Sequence, residues 1–246
     1  MFTGLPPGFR PRAVVFDVDG TLVDNMPLHA QAFERFAARY DLPAITMRDR
    51  AKLDGKRNRE IFPVLFARAI EAPELTALEE EKESLYRTLS TGRLSPLRGL
   101  DRLLAWLDAS GIPVALATSA PAPNVTHTLA ELGLAHLEPR TVRSDEVPHG
   151  KPHPDVFLEA ARRLDVEPRH CLAFEDAPMG IEAARRAGMV TIAITTSFDG
   201  PALAAHDWPP HAAFSDYDAV LDAAGAALFS AEGVDQANAG AASVPP

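Results

Sequence analysis

Residues 13–24 read AVVFDVDGTLVD. The first four residues are apolar and include the β-branched pair Val14 and Val15, which predicts a short strand buried on both faces. Two aspartates, Asp17 and Asp19, follow at once, so the strand places them at its C-terminal end. In open α/β sheets this end of the strands is where ligands bind. The stretch therefore predicts the first strand of a parallel sheet and part of a polar site.

The rest of the chain predicts an α/β fold with a helical insertion. After residue 25, apolar residues recur at helical spacing up to about Arg93, without strand-like alternation. From Ser95 onward, short apolar runs alternate with amphipathic segments, which predicts a Rossmann-like parallel sheet with helices on both faces. The predicted strands are residues 114–117, 171–174 and 190–194, and the predicted helices are residues 103–107, 124–132, 155–164 and 181–187.

These patterns divide the chain into three parts. Residues 1–25 and 94–230 form the predicted Rossmann-like core, and residues 26–93 form a predicted all-helical cap domain. Residues 231–246 are mostly small or polar, which predicts a flexible tail.

The charge balance limits the expected partners. The 246 residues include 24 lysines and arginines and 34 aspartates and glutamates, a formal net charge of -10. Such a surface repels nucleic acid and anionic membranes, so neither is an expected partner. The single cysteine, Cys171, excludes an internal disulfide, and no signal-like or membrane-spanning apolar run stands out. We therefore expect a cytoplasmic protein.

Acidic residues also follow a second predicted strand, at Glu175 and Asp176. Bringing them close to Asp17 and Asp19 is costly unless a hard divalent cation binds. Mg²⁺ is the predicted cofactor, since it combines one or two carboxylates with waters and substrate phosphate. Two other interpretations of Asp17 stay open. It could cap a turn, or it could begin a calcium loop, although such a loop follows a helix and ends in a glutamate where this chain has Leu28.

The sequence DVDGT at residues 17–21 resembles the first signature of the haloacid dehalogenase superfamily. Three further matches follow in the order that the superfamily has: Thr118 after the second predicted strand, Lys151 before a proline, and an acidic pair at residues 175–176 with Gly180. Alone, the threonine is an ordinary strand-end hydroxyl and the lysine an ordinary exposed side chain. Together, the four matches make the chain similar to phosphatases of this superfamily.

The resemblance implies a role for each matched residue. Asp17 attacks phosphorus and forms an aspartyl phosphate, and Asp19 acts as general acid and base. Thr118 and Lys151 donate hydrogen bonds to phosphate oxygens. The implied Mg²⁺ ligands are Asp17, the main-chain carbonyl of Asp19, Asp176, and Glu175 either directly or through water.

The helical insertion resembles the cap of the β-phosphoglucomutase-like branch, which closes over the site and contacts the substrate. This resemblance implies a substrate-specificity loop at residues 52–60 and a hinge histidine at His29. Met26 stands where many phosphatases of the branch have a glutamate. A solvated helix start and simple interface packing are the ordinary alternatives for the loop and the histidine. The candidate substrate-binding residues are Ser119, His29, Lys52, Gly55, Lys56, Arg57 and Arg59.

Hydrolysis and transfer share their first half-reaction, so the catalytic signatures do not separate them. Mutases of the branch carry a Ser-Lys-Asn-like string after the second signature, whereas residues 120–124 read APAPN and lack the lysine. We therefore expect a phosphatase that acts on a small phosphate ester, such as a sugar phosphate or a phosphoglycolate-like compound. The alternatives are a sugar phosphate mutase, an inorganic pyrophosphatase and a binding module on an inactive scaffold. The expected partner is a small phosphorylated metabolite, and the expected state is a monomer or weak homo-oligomer.

Overall fold

The structure is a computed structural model that describes residues 4–43 and 55–229. The candidate residue Lys52 and the predicted tail at residues 231–246 lie outside the described residues. Within the described part of the chain, no helix combines the length and the apolar character that crossing a membrane requires.

The sheet contains the strands β1 (Ala13–Phe16), β2 (Val114–Thr118), β3 (Thr141–Arg143), β4 (Cys171–Glu175), β5 (Val190–Ile194) and β6 (Ala212–Phe214). All five pairings between neighbouring strands are parallel, in the order β3-β2-β1-β4-β5-β6. β1 therefore lies between β2 and β4, although these strands are far apart in the sequence. Residues that follow β1, β2 and β4 meet at one edge of the sheet.

The predicted α/β class and the four strands that the sequence pattern indicates are confirmed. β1, β2, β4 and β5 consist entirely of buried residues, as expected for strands covered on both faces. β3 and β6, of three residues each, are not indicated by the sequence pattern.

Helices follow each strand except β3, which leads into a short 3₁₀ helix. The described α-helices are α1 (Met26–Arg39), α2 (Asn58–Leu65), α3 (Ala72–Ser90), α4 (Leu100–Ala109), α5 (Ala122–Glu131), α6 (Asp155–Arg163), α7 (Pro178–Arg186), α8 (Gly200–Ala204) and α9 (Tyr217–Phe229). Short 3₁₀ helices span Ala135–Arg140, Ser144–Glu146 and Pro168–His170. We call α1, α2 and α3, which lie between β1 and β2 in the chain, the helical insert.

The helical insert has apolar clusters of its own. Leu28 and Ala32 of α1 pack with Tyr86 of α3. Phe36 of α1 stacks on Phe62 of α2, with ring centroids 5.1 Å apart. These contacts hold the three helices together, while the boundaries of a separate cap domain stay a prediction.

Apolar side chains cover both faces of the sheet. Val14 and Phe16 belong to one cluster, and Ala13 and Val15 to another, because successive side chains of a strand point to opposite faces. Phe16 also stacks on Phe174 of β4, with ring centroids 5.0 Å apart. This packing fixes the ends of β1 and β4 beside each other, where the acidic residues begin.

Candidate active site

Asp17, Glu175 and Asp176 converge at the carboxyl ends of β1 and β4. One oxygen from each carboxylate lies within 4.8 Å of the others, and all three residues are buried. The strand register explains this arrangement, because Phe16 pairs with Phe174 and the Asp17 N–H donates to the Phe174 carbonyl at 3.0 Å. The fold thus joins two acidic stretches that are far apart in the sequence.

Lys151 lies beside this cluster with 1% of its surface exposed. Its Nζ donates to Asp17 Oδ1 at 2.5 Å, to Glu175 Oε1 at 2.7 Å and to the Ala117 carbonyl at 3.1 Å. One buried ammonium group therefore links the ends of β1, β2 and β4. The ordinary interpretation of Lys151 as an exposed side chain is wrong.

Glu175 is held through both of its oxygens. Oε1 accepts from Lys151, and Oε2 accepts from the N–H groups of Asp176 at 2.8 Å and Ala177 at 3.0 Å. Gly180 of α7 leaves room for this carboxylate, since a Cβ there would lie 1.6 Å from Glu175 Oε1. Because its oxygens are already engaged, Glu175 fits contact with a metal through water better than direct coordination.

Asp176 fits against the turn that follows β1. Gly20 has a φ of +83°, and a Cβ there would lie 2.1 Å from Asp176 Oδ2, so both the backbone and the space require glycine. Thr21 Oγ1 donates to Asp176 Oδ1 at 3.5 Å, and Ser197 Oγ donates to Oδ2. The DVDGT turn is therefore shaped around the carboxylate that comes from β4.

Burial raises the pKa of Asp17 to about 8, an effect that the Lys151 ammonium only partly offsets. The pKa of Asp176 also lies well above its usual range, because of burial and the charges of Glu175 and Asp17. Burial by itself would lower the pKa of Lys151, but the carboxylates of Asp17 and Glu175 outweigh it and raise that pKa. The cluster thus holds more carboxylate than one lysine can balance, and a divalent cation with oxygen ligands fits it.

The raised pKa values of Asp17 and Asp176 predict how the stability of the metal-free chain changes with pH. A carboxyl group whose pKa is higher in the folded state binds more protons when folded, so stability falls as pH rises from the ordinary Asp17 pKa of 3.8 towards about 8. We expect the melting temperature to fall by several degrees between about pH 5.5 and 8, at about 2–4 °C for each kcal/mol. Mg²⁺ should raise it most at the higher pH.

Asp176→Asn provides the control for these thermal melts. The amide carries no ionisable proton, so the variant should show a shallower fall with pH and a weaker response to Mg²⁺. A pH slope equal to that of the native chain, or a Mg²⁺ response that does not change with pH, would contradict the assignment of a metal to this cluster.

Asp19 lies near the cluster but in a different environment. Its Oδ1 accepts from Asn25 Nδ2 at 2.6 Å, and His29 Nε2 lies 3.7 Å away. Burial opposes ionisation, yet His29 and the hydrogen bond from Asn25 together lower the pKa of Asp19. In the absence of substrate, this environment favours the ionised form, which is the form of a general base.

The helical insert contributes a buried ion pair that the sequence interpretation misses. Lys82 and Glu83 of α3 are 2% and 4% exposed. Lys82 Nζ contacts His29 Nδ1 at 3.0 Å and donates to Glu83 Oε1 at 2.9 Å. Both residues belong to the charged run at 79–83, which by itself predicts a solvated helix face. Their helical spacing to the buried Tyr86 is the signal that could have found them.

A cavity of about 510 Å³ lies between the sheet edge and the helical insert. Its volume is in the range of small-molecule sites. It brings together most of the predicted site residues and several that were not predicted. Its lining includes Asp17, Asp19, Thr118, Ser119, Glu175, Asp176, His29, Gly55 and Lys56 from the predicted set, and Met26, Asn58, Lys82, Glu83 and Asn124 besides.

Neither Arg57 nor Arg59 is among the described residues that line this cavity. They line an adjacent cleft of about 180 Å³. Arg57 Nη2 donates to Glu60 Oε1 at 2.9 Å, so its charge is already paired, and Arg59 is exposed. The predicted loop therefore places Gly55 and Lys56, rather than the two arginines, at the cavity.

Comparison with protein families matches residues 11–188 to the hydrolases described as haloacid dehalogenase-like. The chain belongs to this family. A curated member, the fructose-1-phosphate phosphatase YqaB of Escherichia coli strain K12, is 33% identical over 184 residues, covering 73% of this chain and 94% of that protein. The β-phosphoglucomutase of Bacillus subtilis strain 168 is 34% identical over 194 residues, covering 74% of this chain and 83% of that protein.

A solved structure of the family shows the same architecture. The haloacid dehalogenase hydrolase of family IA, variant 3, from Entamoeba histolytica HM-1:IMSS has a TM-score of 0.75 and 29% identity, covering 84% of this chain and 93% of that one. The predicted superfamily, fold class and hydrolase enzyme class are confirmed. The phosphatase among the relatives agrees with the predicted phosphomonoesterase, and the mutase keeps the question of transfer open.

Proposed function

We propose that the chain is a Mg²⁺-dependent phosphatase that hydrolyses a small phosphate ester, such as a sugar phosphate, through an aspartyl phosphate on Asp17. The observation that carries the proposal is the Asp17 carboxylate at the cavity, 2.5 Å from Lys151 Nζ and grouped with Glu175 and Asp176. A nucleophile, a fixed cation and a carboxylate cluster for a metal are the parts that phosphoryl transfer to an aspartate requires.

Asp17 and Asp176 are the proposed direct ligands of Mg²⁺, together with the main-chain carbonyl of Asp19. Glu175 is proposed to contact Mg²⁺ through a water molecule, because both of its oxygens already accept hydrogen bonds. Burial and mutual repulsion of these carboxyl groups support a hard cation with oxygen ligands. When bound, Mg²⁺ supplies positive charge that offsets the charges of the phosphate and of Asp17.

In the proposed reaction, an Asp17 oxygen attacks phosphorus while the bond to the ester oxygen breaks. Protonated Asp19 gives its proton to the leaving oxygen and later takes one from the water that cleaves the aspartyl phosphate. The lowered pKa of Asp19, caused by His29 and Asn25 against the effect of burial, suits this second step. The negative charge of an arriving phosphate raises the pKa of a nearby carboxyl group, which supplies the protonated form for the first step.

Thr118 and Lys151 contribute in different ways. Thr118 Oγ1 accepts from the Ala120 N–H at 3.0 Å, which leaves its hydroxyl hydrogen for a phosphate oxygen. Lys151 already directs its three hydrogens to Asp17, Glu175 and a main-chain carbonyl. We propose that Lys151 mainly holds and neutralises Asp17, and that it donates to phosphate only by exchanging one of these contacts.

The charges at the cavity support hydrolysis over transfer between two sites of a sugar. The described cations that line it are Lys56 and Lys82, and Lys82 is paired with Glu83 at 2.9 Å. A mutase has to bind a second phosphate in the same cavity, which calls for free cationic donors. Hydrolysis of a monophosphate needs no such second site.

A panel of phosphate esters, assayed with Mg²⁺ and after its removal by EDTA, tests the proposal. We expect the native chain to release phosphate from sugar phosphates and to lose at least ~100-fold in rate without Mg²⁺. Conversion of β-glucose 1-phosphate to glucose 6-phosphate without net phosphate release would support a mutase instead. Release from pyrophosphate alone would support a pyrophosphatase, and no turnover of any compound would support a binding module.

A further inference from the structure

Glu83 is a buried acidic residue of the cavity that has no role in the proposed reaction. It lies on α3, is 4% exposed, and lines both the cavity and the adjacent cleft. A carboxylate is rarely buried unless its oxygens are satisfied, because desolvation of the charge is costly. The groups that contact the Glu83 carboxylate therefore indicate its role.

The Glu83 carboxylate is fixed by three polar side chains. Oε1 accepts from Asn58 Nδ2 at 2.6 Å and from Lys82 Nζ at 2.9 Å, and Oε2 accepts from Asn124 Nδ2 at 2.6 Å. Asn124 is held in turn by Arg87, whose Nη1 donates to Asn124 Oδ1 at 2.9 Å. Because Asn58 and Asn124 come from α2 and α5, the carboxylate is held from both sides of the cavity.

Glu83 is ionised at neutral pH. Burial opposes the charge, but the positive charge of Lys82 and the hydrogen bond from Asn58 outweigh it and lower the pKa of Glu83. With a single described donor on Oε2, the carboxylate keeps capacity to accept a further hydrogen bond. A hydroxyl group is the natural donor for such an oxygen.

The other charges at the cavity disfavour a substrate that carries a second anionic group besides its phosphate. The described lining holds six carboxylates, Asp17, Asp19, Glu34, Glu83, Glu175 and Asp176, against the two ammonium groups of Lys56 and Lys82. Four of the carboxylates belong to the proposed catalytic and metal site. Lys82 is engaged by Glu83 and His29, so Lys56 alone among the described lining cations is left for an anionic group.

We infer that Glu83 determines specificity: it accepts a hydrogen bond from a hydroxyl group of the substrate and excludes esters with a second anionic group. The inference rests on the proposed phosphatase function and narrows it to monophosphates of neutral, hydroxylated compounds. It places phosphoglycolate-like esters and bisphosphates among the poor substrates. The effect depends on a full negative charge held in a partly desolvated cavity, where like charges repel strongly.

Two substrate pairs test the inference, glycerol phosphate against phosphoglycolate and fructose 1-phosphate against fructose 1,6-bisphosphate. For the native chain we expect kcat/KM to be at least ~10-fold higher for glycerol phosphate and for fructose 1-phosphate, the esters that carry no second anionic group. Glu83→Gln, which removes the charge and keeps the shape, should narrow this ratio by about tenfold. Glu83→Asp, which keeps the charge, should still discriminate against phosphoglycolate and fructose 1,6-bisphosphate.

Glu81→Gln is the matched control, because it makes the same change on the same helix at a residue that does not line the cavity and instead contacts Arg39 and Tyr40. It should leave the ratios unchanged. A native chain that prefers phosphoglycolate, or a folded Glu83→Gln chain with native ratios, would overturn the inference. If no ester is hydrolysed, the phosphatase proposal fails. The inference about Glu83 is then tested by calorimetry, which compares the binding affinities of the same pairs for the Mg²⁺-loaded native and Glu83→Gln chains.

Discussion

Asp17→Asn is expected to lower kcat for phosphate release by at least ~10³-fold. An amide does not replace a carboxylate as a nucleophile towards phosphorus. Glu175 also contacts Lys151, but both of its oxygens accept hydrogen bonds, so it cannot take over the attack. Steady-state phosphate release in the presence of Mg²⁺ measures the loss, and acid-quenched native protein should yield a peptide phosphorylated at Asp17 that the variant does not yield.

Asp108→Asn provides the matched control, since it makes the same change at an exposed position of α4 and should leave kcat unchanged. The fold of Asp17→Asn should be intact, because a neutral amide avoids the cost of ionising a carboxyl group whose pKa is raised by burial to about 8. The metal-free variant should therefore melt no lower than the native chain near that pH. Activity of the variant within about tenfold of native would contradict the assignment of Asp17 as nucleophile.

The sheet core is predictable from sequence because four of its strands are short, mostly apolar and followed at once by polar residues. β1 and β4 are buried on both faces, so they carry no alternation and stand out as continuous apolar runs. Acidic residues at the ends of both strands indicate a shared site once the strands are taken as parallel. The meeting of Asp17, Glu175 and Asp176 follows from these two local patterns.

The remaining parts depend on partners that no local pattern reveals. β3 and β6 each have three residues, and pairing with β2 and β5 makes them strands rather than a periodicity of their own. Arg57 shows the same limit at the site: its Nη1 donates to the distant Ser144 carbonyl at 3.4 Å, and the side chain lines the adjacent cleft rather than the cavity. Lys82 lies in a charged run, yet it is buried, where His29, Glu83 and the ring of Phe33 contact its ammonium group. In each case tertiary contacts override the local expectation.

Lys151→Met is expected to reduce both the stability of the metal-free chain and its activity. The substitution leaves Asp17 and Glu175 buried without the ammonium group that lies 2.5 Å and 2.7 Å from their oxygens. Removing one member of a buried ion pair typically costs about 3–5 kcal/mol, with a shift of about 2–4 °C in melting temperature for each kcal/mol. Because protonation relieves the unpaired carboxyl groups, the loss of stability should be smaller near pH 5 than near pH 8.

The same variant separates stabilisation from catalysis. Mg²⁺ brings positive charge to the carboxylates and should recover part of the lost stability, whereas kcat should stay at least ~100-fold below native, because Asp17 is no longer held by the ammonium group. Arg169→Met, which removes a positive charge from an exposed pair with Glu167, should change neither quantity appreciably. Recovery of kcat along with stability when Mg²⁺ is added would show that Lys151 only balances charge, and that the position of Asp17 does not depend on it.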